Sequence, residues 1–213
     1  MILNSSENER DDEAVRHEDW EAQALMLETS GDAARAAGNF RQAEIELRQA
    51  WSVRHYRLTD EPGELRVLYL LAATFEEGNR LHRAMDALDA IHTRLQRDPA
   101  DAVGLAAVNV DIGLMYVKAN RSAEDSVYYF KRAIQIYQLL AQPAPVGHAR
   151  ALVAWGRVLW NEGSVTAARN RFKTALTLVT EAGNRRLATR IQALVVHPKD
   201  QPMAAWESID GRP

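Results

Sequence analysis

The sequence predicts an all-α fold, a solenoid of stacked antiparallel helix pairs. Three observations carry that expectation. Apolar residues recur at spacings of three and four along most of the chain, the period of an amphipathic helix. No stretch alternates with period two for long enough to form a strand. A pattern of small and large residues repeats about every 42 residues.

The repeat is clearest when read back from Ala168. Ser126, Ala84 and Ala43 stand upstream of it at intervals of 42, 42 and 41 residues. Four positions after each of these small residues the chain has Phe172, Phe130, Leu88 and Leu47. Three further on it has Ala175, Ala133, Ile91 and Ala50. Ahead of each run stands another small residue, Gly156, Gly113, Ala72 or Gly31, followed three positions later by Leu159, Tyr116, Phe75 or Ala34. A small residue opposite a large one lets two helices approach closely, so each unit reads as two helices packed face to face.

The elements follow in order. Helices near 12–37 and 40–57 are separated by Gly38–Asn39, with Asn39 as N-cap of the second. A helix near 62–77 starts after Asp60 with Pro62 in its first turn, where proline costs no hydrogen bond. Gly78–Asn79 introduces the next, near 80–97, and Asp98–Pro99 the one near 99–119. Ser122 followed by Asp125 resembles a capping box at the start of 122–141. Pro143–Pro145 precedes a helix near 145–162, and Gly163–Ser164 one near 164–182. A shorter helix near 185–195 would cover the last apolar face, as repeat arrays require. Residues 1–11 read as a disordered acidic N-terminus, 12–196 as four repeats with their capping helix, and 197–213 as an irregular tail rich in Pro and Gly.

These residues resemble the tetratricopeptide repeat. In the last unit Gly156, Leu159, Gly163, Val165, Ala168, Phe172 and Ala175 match its pattern position by position. The first unit matches with Gly31, Gly38, Phe40, Ala43, Leu47 and Ala50. The second and third read as needing one extra residue in the inter-helix turn, and the third has Ser126 where Ala is usual and Asn109 where a large apolar residue is usual. The resemblance covers roughly residues 20–182, with a period longer than the family's usual one. It implies a right-handed superhelix whose concave wall, lined by the first helix of each pair, binds a peptide or another protein.

Composition narrows the function classes. The formal net charge of −3 gives no global attraction to nucleic acid or anionic membrane. The chain has no cysteine, which excludes disulfides, thiolate metal sites and cysteine nucleophiles. No apolar run reaches the length of a spanning helix and no secretory signal opens the chain, so a cytoplasmic protein is expected. Phosphate-cradling glycine loops, nucleophile elbows and zinc-protease motifs are missing. His82 and His92 are ten residues apart, which is not ligand spacing for one metal. No metal, no cofactor and no catalysis are expected. The basic run Arg169, Arg171 and Lys173 reads as the outer face of an amphipathic helix, because no base-stacking aromatic is interleaved with it.

Charge is uneven along the chain. Residues 1–30 hold nine acidic and two basic residues, and residues 145–213 hold ten basic and five acidic. Solvated ends are the simple reading, and head-to-tail association between copies is the sharper one.

The groove residues carried over from the resemblance are Arg66, Tyr69, Ala73 and Glu76 in the second unit and Arg150, Val153, Arg157 and Trp160 in the fourth. Glu28, Asp32 and Arg35 from the first unit and Val110, Leu114 and Val117 from the third belong to the same set. The arginines could pair with carboxylates of an acidic peptide or a C-terminus, and Tyr69 and Trp160 could act as aromatic anchors. Asn109 reads either as a satisfied buried amide or as a contact to a bound backbone, and Trp206 as an aromatic that could occupy the groove of its own chain. The function expected is a non-catalytic scaffold or adaptor for a protein or peptide. A small peptide sensor acting through a partner and a self-assembling structural protein are the alternatives.

Overall fold

The computed structural model describes residues 4–196. Its elements are α1 (Asn4–Ala36), α2 (Phe40–Val53), a π-helical turn (Arg54–Leu58), α3 (Glu61–Glu77) and α4 (Leu81–Leu95). A short 3-10 turn (Pro99–Asp101) leads into α5 (Ala102–Lys118), followed by α6 (Ala123–Leu139), α7 (Pro145–Asn161), α8 (Val165–Glu181) and α9 (Arg185–Val196). No strand occurs among the described residues. The chain divides into two compact units, residues 1–93 and 94–213.

The first unit pairs α1 with α2 and sets α3 against α2. Its core holds Ala24, Ala43, Leu47, Ala50, Val67, Leu71, Phe75 and Ala84, all buried. Helix α4 is tied in by Arg80 and Arg83, which both reach Glu44 on α2 and both lie over the Phe75 ring on α3. In the second unit α5 packs on α6, α6 on α7, α7 on α8 and α8 on α9. Its core runs continuously from Ala106 through Phe130, Leu152 and Phe172 to Leu194.

The small-against-large pattern is what sets the helix pairs. A β-carbon placed on Gly156 would stand 2.5 Å from the Phe172 ring, and one on Gly113 would stand 2.5 Å from the Phe130 ring. Gly31 meets Leu47 in the same way, at 2.8 Å. Ser126 takes the place of an alanine without leaving a bare hydroxyl, because its Oγ donates to the Ala123 carbonyl.

Most inter-helix turns share one device. Those after α1, α3, α5, α7 and α8 each pass through a left-handed residue: Gly38, Asn79, Asn120, Gly163 and Gly183. Asn79, not Gly78, is therefore the equivalent of Gly38. The second repeat, α3 with α4, needs no extra turn residue, contrary to the sequence reading. Only the third turn is longer, with Arg121 inserted before the Ser122 cap. Asparagine tolerates this conformation better than other residues with a β-carbon, and glycine tolerates it better still. Asn120→Gly should thus be neutral or slightly stabilising, and Asn120→Ala should lose about 1 kcal/mol. Urea unfolding of the two variants would show it, and equal midpoints would count against the turn assignment.

Capping explains most helix starts. Asn39, Asp60, Asp101, Ser122 and Asn184 each accept a hydrogen bond from a backbone N–H in the first turn of the helix that follows. Asp101 moves the start of α5 past the Pro99 expected from sequence. Ser164 sits at the N-cap position of α8 but makes no capping hydrogen bond with its side chain. Helix α1 begins at Asn4, so residues 4–11, expected to be disordered, are part of it.

Candidate functional site

The first helix of each pair presents the stripe to which the sequence assigned binding. Two of its arginines hold the same register position. Arg66 stands six residues before the small residue Ala72, and Arg150 six before Gly156. Each reaches back to a carboxylate on the first helix of the preceding pair. Arg66 Nε donates to Glu28 Oε2 on α1 at 2.8 Å, and Arg150 Nη2 donates to Asp111 Oδ1 on α5 at 2.7 Å. The hydrogen bond to Glu28 is the main reason the Arg66 guanidinium pKa is raised above its ordinary value. Both arginines therefore brace adjacent repeats, and neither offers an uncommitted charge to a ligand.

The carboxylates are the buried partners. Glu28 and Asp111 have side chains 6% and 8% exposed, against 52% and 14% for Arg66 and Arg150. Glu28 also accepts from Arg54 Nε at 2.8 Å, and Arg54 Nη1 donates to Asp60 Oδ2 at 2.7 Å. Asp60 in turn caps α3 through the Gly63 amide. Nearby, His55 Nδ1 lies 3.0 Å from Glu64 Oε2, and Trp51, His55 and Tyr56 stack at the end of α2. Glu28, expected in an open groove, is instead an internal support. Its partner Arg54 belongs to a π-helical turn that apolar periodicity does not reveal.

The remaining stripe residues separate by burial. Val153 and Val110 are fully enclosed in the second core, which removes both from any contact surface. Arg35 pairs with Asp32 and Glu77. Tyr69 is half-buried and already engaged in a contact. Arg157 and Trp160 on α7 are half-buried, and so are Leu114 and Val117 on α5; Arg157 is also engaged in a contact, and the other three pack against the second core. Helix α5 touches α7 directly, so these four lie on two adjacent helices of one unit.

Asn109 is a satisfied buried amide only at its amino group, because its Oδ1 is buried with no hydrogen-bond partner. It is fully buried, and its Nδ2 donates to the Leu105 carbonyl at 2.6 Å. Of the basic run on α8, Arg169 and Lys173 are exposed as expected. Arg171 is not merely solvated, since its guanidinium lies 3.8 Å from the centroid of the Trp155 ring, with Lys131 near the same ring at 5.4 Å. Trp206 lies outside the described residues. Among the described residues no group of three or more His, Asp or Glu is placed to hold a metal ion. No helix there is long and apolar enough to cross a membrane.

Comparison with solved structures fits this arrangement of paired helices. A putative kinesin light chain of nearly identical tetratricopeptide-like repeats from Podosopora anserina superposes with a TM-score of 0.59 at 13% identity, covering 89% of this chain and 97% of that one. The chain has a tetratricopeptide-like α-solenoid fold. The solenoid also matches aspartyl phosphate phosphatase F from Bacillus subtilis, with a TM-score of 0.71 at 14% identity over 88% of this chain. BtubC from P. vanneervenii matches with a TM-score of 0.63 at 16% identity, covering 93% of this solenoid and 95% of that chain. The chain spans about half the length of the Bacillus phosphatase, 49%, and 66% of RapI. No family model and no curated protein matches the sequence.

Proposed function

We propose that this solenoid binds a protein or peptide through the first-helix faces of its second unit, with Trp160 as the principal contact. The observation that carries the reading is the sorting of the stripe. Arg66 and Arg150 are committed to carboxylates of the chain itself, and Val153 is enclosed. Trp160 remains half-exposed on α7 beside half-exposed apolar side chains of α5, whereas Arg157, one turn earlier, already holds a contact within the chain. Tryptophan is among the residue types that most often dominate interface energy. The adaptor role is non-catalytic. Neighbours named as a phosphatase and as a kinesin light chain share the fold, so the reading rests on these side chains and not on the fold.

The test is affinity capture from the native cell with the wild type and with Trp160→Ala. A tryptophan anchor is worth about 2 kcal/mol or more, a loss of roughly 30-fold in affinity for the captured partner. Arg169→Ala, on the exposed face of α8, should leave affinity unchanged. Equal recovery of the same partner by wild type and Trp160→Ala would refute the assignment.

A further inference from the structure

Helix α1 carries an exposed face that, in the second unit, its counterpart uses for stacking. Gly31 and Gly156 are equivalent, since each receives the large residue of the following helix. In that register α7 turns Gly147, Ala151, Ala154 and Val158 inward. A β-carbon on Gly147 would collide with Tyr137 of α6, and the other three are buried. The same positions on α1 are Ala22, Met26, Thr29 and Ala33, and all four are exposed. Met26 is 62% exposed, Leu25 next to it 58%, and Val15, about three turns earlier on the helix, 58%. Three of the four are apolar, so a packing face of the repeat is laid open to solvent here.

Charge selects what covers it. Helix α1 holds ten acidic residues and three basic ones, with Glu18 and Asp19 exposed at the border of the apolar stripe. Two copies of α1 facing each other would bring like charges together. Residues 165–196, which span α8 and α9, hold six basic residues against the single acid Glu181. Arg169 and Lys173 of α8 and Arg185 and Arg186 of α9 are exposed. Opposite fields of this kind steer association and fix its orientation.

We propose that the apolar and acidic face of α1 in one copy docks on the basic α8–α9 surface of a second copy. The contact is heterologous, so each copy keeps one face open and can add another. It uses none of the α5 and α7 side chains assigned above to partner binding.

Sedimentation of the full chain tests this. The wild type should show an average mass that rises with concentration, and its self-affinity should fall about tenfold or more between low salt and about 0.5 M salt. Two neutral variants separate the faces: Glu18→Ser with Met26→Ser on α1, and Arg185→Ser with Arg186→Ser on α9. All four residues are exposed, so both variants should keep the wild-type circular dichroism. Each variant alone should sediment as a monomer. Their equimolar mixture has one intact α1 face and one intact basic face available to each other, and should form a one-to-one complex that grows no further. A wild type that stays monomeric at low salt and high concentration overturns the proposal. So does a variant that self-associates as the wild type does, or a mixture that remains monomeric.

Discussion

Replacing Phe172 with Ala should destabilise the second unit by about 3–5 kcal/mol, in the range for a fully enclosed aromatic ring. Phe172 is 0% exposed and is the large residue of the best-matched repeat, lying directly under Gly156. The coupling between the two positions is the sharper part of the expectation. In the wild-type background Gly156→Ala drives a β-carbon to 2.5 Å from the ring, so the ring or the helix must shift. That overpacking costs about 1–3 kcal/mol. It outweighs the gain of about 1 kcal/mol from replacing a helical glycine. In the Phe172→Ala background the obstacle is gone, and the added methyl both fills space and favours the helix. Gly156→Ala should then change sign and become stabilising. Urea unfolding of the four proteins in this cycle measures it. If Gly156→Ala has the same effect in both backgrounds, the two residues are not packed as described.

That contact is also the part of the fold most legible in the sequence. Helix–helix packing at close range constrains residue size, and size is written directly in residue identity. Gly113 with Phe130, and Gly31 with Leu47, repeat the same relation at the repeat period, so register could be read without any structure. The turns were legible only in part. Gly38 and Gly163 announce the left-handed residue, but Gly78 next to Asn79 points to the wrong position, because the conformation falls on the asparagine. The candidate site was least legible. Its residues are charged, and a charged residue on an amphipathic helix looks solvated until its partner is placed. Arg66 reaches a carboxylate three residues before a small residue, while Arg150 reaches one two residues before, so the pairs share no fixed spacing. The repeated arginine, six residues before Ala72 and again before Gly156, was the one available signal. Register alone places Val153 in the groove, and register does not report how deeply adjacent helices sink into one another.

The second large effect is expected at Glu28. Its carboxylate is the junction of α1, the π-helical turn after α2, and α3, through Arg54 and Arg66. Glu28→Ala leaves the Arg54 guanidinium, 8% exposed, with Asp60 as its remaining ion-pair partner among the contacts described. Removing one side of a buried ion pair costs about 3–5 kcal/mol, because the other charge stays desolvated. Arg66→Ala removes a half-exposed partner of the same carboxylate and should cost less than about 1 kcal/mol, as exposed pairs do. Glu28→Gln retains an acceptor for Arg54 and should fall between the two. The order Glu28→Ala, Glu28→Gln, Arg66→Ala, from most to least damaging, is what separates a buried support from a groove ligand. A residue whose work is to meet a partner would lose binding and leave the unfolding midpoint in place. If Glu28→Ala unfolds at the wild-type urea concentration, the internal role assigned to this carboxylate fails, and the groove reading of the first repeat returns.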